Sequence, residues 1–218
     1  MDETYDLSLK HPTRWLVSGP SGSGKTTFVE KVLYNMNELF DFYFDNIIYC
    51  SGQAFPDFDY VHGIPIHKVK TLKENVLENI NSELNNLIII DDNMNNVVND
   101  IFISDLFTKY SHHRNITVIL LVQNLFPKGK YMRDISTNST YIVLMSNPRE
   151  LLQIKTLSSQ IGGAKNTFIY DAFLDATKNK PFSYLFLDFD QNTPEDVRVR
   201  TNIFPNEETF IYKKVLKV

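Results

Sequence analysis

Apolar residues in this chain follow two alternating spacings along most of its length. Five short runs are mostly apolar and rich in β-branched residues, which predicts strands buried on both faces of a sheet: 14–19, 46–51, 86–92, 116–123 and 140–146. Between the runs, apolar residues recur three or four positions apart, which predicts helices over 25–40, 71–84, 97–111, 131–139 and 148–161. This alternation is typical of an α/β protein with a mostly parallel sheet and helices on both faces.

Two later runs, 182–189 and 196–204, predict further strands that flank the sheet. The chain has 218 residues, of which 43% are hydrophobic, enough for a substantial core. Because a domain averages about 150 residues, we expect a single domain over 1–218. Its core would cover about 13–163, and about 164–218 would form a C-terminal elaboration.

Composition narrows the class of protein. The formal net charge of −4 argues against coating nucleic acid by bulk charge, although it leaves room for a local basic surface. The single cysteine, Cys50, excludes an internal disulfide and fits a reducing compartment. The longest apolar run, 116–122, is far shorter than the ~20 residues of a membrane helix. The first residues show no secretory pattern, so we expect an intracellular protein without a membrane partner.

A phosphate-binding motif lies between the first predicted strand and the first predicted helix. The sequence from Gly19 to Thr26, "GPSGSGKT", matches G-x-x-x-x-G-K-[ST]. Backbone N–H groups in such a loop form an anion nest, and the helix that follows adds its positive end. We therefore predict that ATP binds at the following residues: Gly19, Pro20, Ser21, Gly22, Ser23, Gly24, Lys25, Thr26 and Thr27. Lys25 would reach the β- and γ-phosphates, and Thr26 would hold Mg²⁺.

Two acids follow the apolar run "LIII". Asp91 emerges at the carboxyl end of its strand, where ligands bind in parallel sheets, and is predicted to hold the metal with Thr26. Asp92 directly follows it and is the candidate catalytic base that polarises the attacking water. A helix N-cap or a solvated loop acid is the alternative interpretation of Asp92.

The strand 116–122 carries polar residues at both ends. Gln123 would emerge beside Asp91, where an amide can contact both the γ-phosphate and the attacking water. Arg114 precedes the same strand, over 20 Å away at ~3.3 Å per residue, so it is a candidate arginine finger for a neighbouring subunit. A solvated arginine at a helix end is the alternative. Arg149, in "SNPRE", is the rival finger or a second phosphate sensor.

Four segments together resemble a known family: "WLVSGPSGSGKTTF", "LIIIDD", "SHHRNITVILLVQNLFPKGK" and "YIVLMSNPRELLQI". They are similar to the FtsK–HerA group of P-loop NTPases, in particular the genome-packaging ATPases of poxvirus-type viruses and Polinton-type transposons. The resemblance covers roughly 13–163. It implies a RecA-like core of the additional-strand, catalytic-acid type and a homo-oligomeric ring, a pentamer or hexamer. It also implies ATP-driven translocation of double-stranded DNA into a capsid in an infected cell, in the cytoplasm, the nucleus or associated with the virion.

A basic loop follows the strand that ends at Gln123. Lys128, Lys130 and Arg133 could contact DNA phosphates without reading bases, with a plain surface loop as the alternative. A capsid protein is a further partner, for which the terminal "YKKVLKV" is a weak candidate contact. Three other functions stay open: a small P-loop nucleoside or nucleotide kinase, a nucleotide-gated scaffold with little turnover, and a replicative helicase.

Overall fold

The computed structural model describes residues 5–78, 80–91, 97–178 and 180–214. Within these residues, ten strands form one sheet in the order β10-β9-β8-β7-β1-β6-β5-β2-β4-β3. The strands are β1 Arg14–Ser18, β2 Asn46–Ser51, β3 Tyr60–Val61, β4 Ile64–Val69, β5 Asn86–Asp91, β6 Ile116–Val122, β7 Tyr141–Met145, β8 Tyr184–Asp188, β9 Val199–Thr201 and β10 Phe210–Ile211. The six strands from β7 to β4 in this order are parallel, and the outer strands on both sides are antiparallel.

Helices cover both faces of the sheet, because each central strand is apolar on both sides. α1 (Lys25–Leu39) packs with one face, in a buried cluster that includes Trp15, Val17 and Ile119. The other face, with Leu16 and Leu120, packs against helices that the chain supplies later. These are α2 Glu74–Glu78, α3 Ile101–Asp105, α4 Ser111–His113, α5 Met132–Asn138, α6 Leu151–Gly162 and α7 Phe168–Thr177. A π-helical turn, Leu106–Tyr110, joins α3 to α4, and a 3₁₀ turn, Glu195–Val197, precedes β9.

The five predicted central strands are present as β1, β2, β5, β6 and β7, but two predicted helices differ from the structure. The helix predicted over 71–84 is wrong beyond the short α2. Asn86 donates its side-chain amide to the carbonyls of Asn81 and Leu84, which turns the backbone away from helical pairing. The helix predicted over 97–111 is divided between α3 and the π-helical turn.

The C-terminal residues extend the same sheet. β8 pairs antiparallel with β7 and carries β9 and β10 outward. A buried ion pair between Arg200 and Asp188, at 3.2 Å, joins β9 to β8, and the Arg200 guanidinium lies 5.0 Å from the centre of the Phe186 ring. The elaboration is therefore anchored to the sheet by a charge pair as well as by apolar packing.

Candidate nucleotide-binding site

The loop 19–24 leaves β1 at its carboxyl end and enters α1. Gly19 lies so close to β7 that a Cβ atom there would come within 2.6 Å of the Met145 Cβ atom. The Gly19 N–H donates to the Val122 carbonyl at 3.1 Å, which joins the loop to the end of β6. Gly24 has a φ of +93°, a left-handed conformation that favours glycine, and it leads directly into the first turn of α1. These contacts fix the loop between three parallel strands.

Lys25 is the first residue of α1, and its side chain turns back into the loop. The ammonium donates to the Gly19 carbonyl at 2.6 Å and to the Pro20 carbonyl at 2.9 Å. Burial lowers the pKa of Lys25, whereas the carboxylates of Asp91 and Glu150 act to raise it. The charge of Lys25 is thus held at the centre of the loop, where the phosphates of a nucleotide would lie.

Thr26 and Tyr49 both donate hydrogen bonds to the same oxygen of Asp91. The Thr26 hydroxyl lies 2.9 Å from Asp91 Oδ2, and the Tyr49 hydroxyl lies 3.1 Å from it. Burial, followed by the charge of Asp91, raises the pKa of Tyr49, so its phenol stays protonated and donates. A threonine hydroxyl beside a carboxylate is the oxygen ligand set that Mg²⁺ prefers. Thr26 and Asp91 therefore fit a magnesium ion between α1 and β5.

A cavity of about 440 Å³ brings the predicted residues of the phosphate site together. Its lining includes seven of them: Ser21, Gly22, Gly24, Lys25, Thr26, Thr27 and Asp91. Gln123 lines the same cavity, because β6 lies between β1 and β5 and ends at the same edge of the sheet. The cavity therefore places Gln123 and the predicted metal ligands beside the loop that would hold phosphates.

The other predicted site residues lie apart from this cavity or outside the described residues. Asp92 lies outside the described residues, so its role as a base stays a prediction. Arg114 precedes β6 at the opposite edge of the sheet, where its guanidinium donates to the Leu77 carbonyl at 2.5 Å and lies 5.6 Å from the Tyr110 ring centre. Arg149 is exposed and follows β7 at the phosphate edge. The two candidate fingers thus occupy opposite edges of the sheet.

The predicted DNA-contact residues are exposed on and after the loop that leaves β6. Lys128, Lys130 and Arg133 are all solvent-exposed. The loop packs tightly against the described residues that follow β5, since a Cβ on Gly129 would lie 2.5 Å from the Val98 side chain. The Tyr131 N–H also donates to the Val98 carbonyl at 3.1 Å. The loop is therefore in contact with Val98, seven residues after Asp91 along the chain.

Three residues near the cavity are not predicted from the sequence. Tyr49 is a phenol in a buried apolar strand, and its need for a polar partner is a signal that could have found it. Glu150 lies close enough to Lys25 for their charges to interact, and burial raises the pKa of Glu150. Phe182 lines the cavity from the turn before β8. Glu150 and Phe182 approach the loop only through tertiary folding, so no local pattern identifies them.

The sheet order and this loop define an α/β fold of the P-loop NTPase type with a RecA-like sheet, which confirms the predicted fold class. The sequence matches no protein-family model and no curated protein. Among the described residues, no helix has the length and apolar character to cross a bilayer.

The chain is similar in fold to the genome-packaging NTPase B204 of Sulfolobus turreted icosahedral virus 2. Against its complex with ATP-gammaS the TM-score is 0.57 at 15% identity, over 94% of this chain and 98% of that one. Against its sulfate complex the TM-score is 0.54 at 13% identity, over 98% and 100%. The DNA-packaging ATPase B204 of Sulfolobus turreted icosahedral virus gives 0.51 at 14% identity, over 93% and 98%. At these identities the likeness establishes a shared fold.

Proposed function

We propose that this chain is an ATP-hydrolysing motor of the FtsK–HerA type that translocates double-stranded DNA and packages a viral genome into a capsid. The observation that carries the proposal is the cavity lined together by Lys25, Thr26, Asp91 and Gln123. Strand β6 lies between β1 and β5, and Gln123 follows it at that cavity. The fold similarity to a viral genome-packaging NTPase over nearly the full length of both chains supports the packaging role.

The chemistry proposed for the site is hydrolysis of ATP with Mg²⁺. The metal, held by Thr26 and Asp91, would neutralise charge on the β- and γ-phosphates. Lys25 would grip the same phosphates through the loop, and Gln123 would orient the attacking water. Asp92 is the proposed base, since it directly follows the metal acid along the chain.

The proposed link to DNA runs through the loop after β6. Contacts of Gly129 and Tyr131 with Val98 join this loop to the described residues that follow β5. Gln123 lines the phosphate cavity and lies directly before this loop along the chain, which is the proposed route from hydrolysis to the exposed Lys128 and Lys130. Lysines repeated around a ring would grip phosphates without reading base sequence, which suits a motor that must move any DNA.

The proposed assembly is a homo-oligomeric ring, a pentamer or hexamer, in which an arginine of one subunit completes the site of the next. Arg114 and Arg149 are the two candidates for that role. The ring would act in an infected cell at the site of capsid filling, with a capsid protein as its partner.

ATP turnover with and without DNA tests the proposal directly. We expect hydrolysis that requires Mg²⁺, increases with linear double-stranded DNA, and is lost in Lys25→Ala. The matched control is Lys70→Ala, an exposed lysine that does not line the cavity. Phosphoryl transfer to a nucleoside or nucleotide without net hydrolysis would instead identify a kinase. ATP binding with assembly but no turnover would identify a scaffold, and strand separation would identify a helicase.

A further inference from the structure

A second cavity adjoins the phosphate cavity at the start of α1. It has a volume of about 600 Å³ and shares Gly24, Thr27 and Phe182 with the first. Because these residues line both cavities, a ligand with its terminal phosphates in the loop can extend past Thr27 into the second. The second cavity therefore lies where the remainder of a nucleotide would emerge.

Five aromatic side chains contribute to the lining of this second cavity: Phe28, Phe182, Tyr184, Phe204 and Phe210. Phe182 and Phe210 line it with 63% and 50% of their surfaces exposed. Below them, the buried Phe28 packs edge-to-face against Tyr184 at 4.8 Å and against Phe204 at 5.3 Å between ring centres. Exposed aromatic rings that meet at one concave site are typical of ligand recognition.

Phe182 is held in an unusual conformation against the phosphate loop. Its φ of +61° lies in the left-handed region, which is sparsely populated by bulky residues and is found where function requires it. Its ring lies so close to Gly24 that a Cβ there would come within 2.8 Å of the Phe182 Cδ1 atom. The hydroxyl of the next residue, Ser183, donates to the Lys180 carbonyl at 2.7 Å, and the Ser183 backbone carbonyl accepts from the Ser146 N–H at 3.0 Å. The ring is thus fixed beside the loop.

Two of the charged residues that line the cavity pair with each other, and Lys180 and Glu208 line it as well. The Lys31 ammonium lies 3.4 Å from Glu207 and 5.3 Å from the centre of the Phe204 ring. Beside these charged side chains, the aromatic faces offer a flat aromatic ligand a surface on which to stack.

We propose that Phe182 stacks on the base of the bound nucleoside triphosphate and that the second cavity receives the base and ribose. This rests on the proposed function, since it requires the phosphates to lie in the loop 19–24. It assigns a role to the C-terminal elaboration, which supplies Phe182 and Phe210. Because a two-ring base overlaps a phenyl ring more fully than a one-ring base does, the site should prefer purine triphosphates over pyrimidine triphosphates.

Calorimetric titration with two ligands separates base binding from phosphate binding. One ligand is a non-hydrolysable ATP analogue, and the other is tripolyphosphate, which lacks the base and the ribose. We expect Phe182→Asn to weaken binding of the analogue roughly ten- to a hundredfold, as for the loss of one stacking partner. Binding of tripolyphosphate should stay as in the wild type. Asparagine is chosen because it tolerates the left-handed conformation.

Two further variants sharpen the test. Phe182→Tyr keeps the stacking surface and should bind the analogue like the wild type. Phe182→Trp should show fluorescence quenching when the analogue binds and none with tripolyphosphate, against the constant background of the buried Trp15. The matched control is Tyr43→Asn, an exposed aromatic outside this cavity, which should bind both ligands normally.

The outcomes distinguish this inference from the proposed function. If the wild type binds neither ligand, the loop does not hold phosphates and both proposals fall. If the wild type binds both, and Phe182→Asn leaves the affinity for the analogue unchanged, the base lies elsewhere and only this inference falls. An equal loss for the two ligands would show that Phe182 supports the loop instead of the base, which also overturns the inference.

Discussion

Tyr49 donates its hydroxyl to Asp91 across 3.1 Å, from β2 to the neighbouring β5. The accepting atom, Oδ2, is also the acceptor for the Thr26 hydroxyl. A carboxylate held from two sides has a fixed orientation, and such partners commonly raise the affinity of a metal ligand. Tyr49 is therefore a positioning residue for the predicted magnesium site, although it does not itself reach the phosphates.

Tyr49→Phe should weaken the affinity of the site for Mg²⁺. We expect the Mg²⁺ concentration for half-maximal ATPase activity to rise by about tenfold, within the range for removal of a partner of a metal ligand. Metal-free nucleotide binding should be unaffected, because Lys25 and the loop are untouched. A Mg²⁺ titration of turnover, paired with calorimetry in EDTA, measures both quantities.

The matched control for Tyr49 is Tyr141→Phe. Tyr141 is equally buried, and its hydroxyl accepts from the Lys10 N–H at 3.0 Å, near the opposite end of the sheet. This variant loses one buried hydrogen bond without touching Asp91, so its Mg²⁺ dependence should match the wild type. An equal shift in both variants would mean that general loosening, and not the orientation of Asp91, explains the effect.

Local patterns predict the central strands and the phosphate loop because each depends on a short segment. Runs such as "ITVILLV" are apolar on both faces, and only a buried strand satisfies that. Strand β4 is not predicted, because Pro65 and the exposed His67 interrupt the apolar run that marks a buried strand. The surroundings of α2 also depend on a distant segment, since the Leu77 carbonyl accepts a hydrogen bond from the Arg114 guanidinium. The contact of Phe182 with Gly24 likewise depends on tertiary folding, since the two residues lie more than 150 positions apart along the chain.

Arg114→Ala should lower both stability and turnover. Its guanidinium donates to a backbone carbonyl within its own subunit, so its loss should reduce the free energy of unfolding by about 1.5–3 kcal/mol. The predicted finger role adds a separate effect, a loss of turnover in the assembled ring with nucleotide binding retained. Urea unfolding gives the first quantity, and single-turnover ATPase measurements give the second.

Mixed rings distinguish a finger from a merely structural arginine. When Arg114→Ala subunits are mixed with Lys25→Ala subunits, the second can supply Arg114 to the intact phosphate loop of the first. Activity should then recover in the mixture although neither variant alone is active. The same pairing with Arg149→Ala tests the rival finger. Full turnover by dilute Arg114→Ala monomers would eliminate Arg114 from the reaction.

The Arg200–Asp188 pair should dominate the stability of the C-terminal elaboration. Both side chains are almost fully buried, with exposures of 2% and 3%. Arg200→Met leaves the Asp188 carboxylate buried without its partner, so the free energy of unfolding should fall by about 3–5 kcal/mol. The exposed pair Lys178–Asp175 provides a control, since Asp175→Asn should cost no more than about 1 kcal/mol. Urea unfolding monitored by circular dichroism measures both, and equal costs would contradict the role of burial.

His11 should make the fold less stable in mild acid. It lies against Phe42 and Phe44, and burial lowers the pKa of His11 from 6.5 to about 4. Between these values the unfolded chain binds a proton that the folded chain excludes, so the free energy of unfolding decreases as the pH falls through this window. His11→Gln should flatten that dependence in urea unfolding at pH 7.5, 6, 5 and 4. Exposed His67→Gln is the control, and an unchanged slope in His11→Gln would assign the acid sensitivity to other groups.

The basic loop after β6 is the predicted site of DNA binding, and alanine substitutions there test it. Lys128 and Lys130 are exposed on a segment that packs against Val98, so replacing both with alanine should weaken DNA binding without disturbing the ATP cavity. Basal ATPase activity should persist while DNA stimulation falls. The slope of log affinity against log salt is negative, and its magnitude should fall by about 0.9 for each DNA phosphate that the variant no longer neutralises. The control pair, Lys70 and Lys73, is exposed on the segment between β4 and α2, and its double alanine variant removes the same charge. If both double variants bind DNA equally weakly, net charge explains DNA binding. If both bind as tightly as the wild type, the DNA path lies on another surface of the protein.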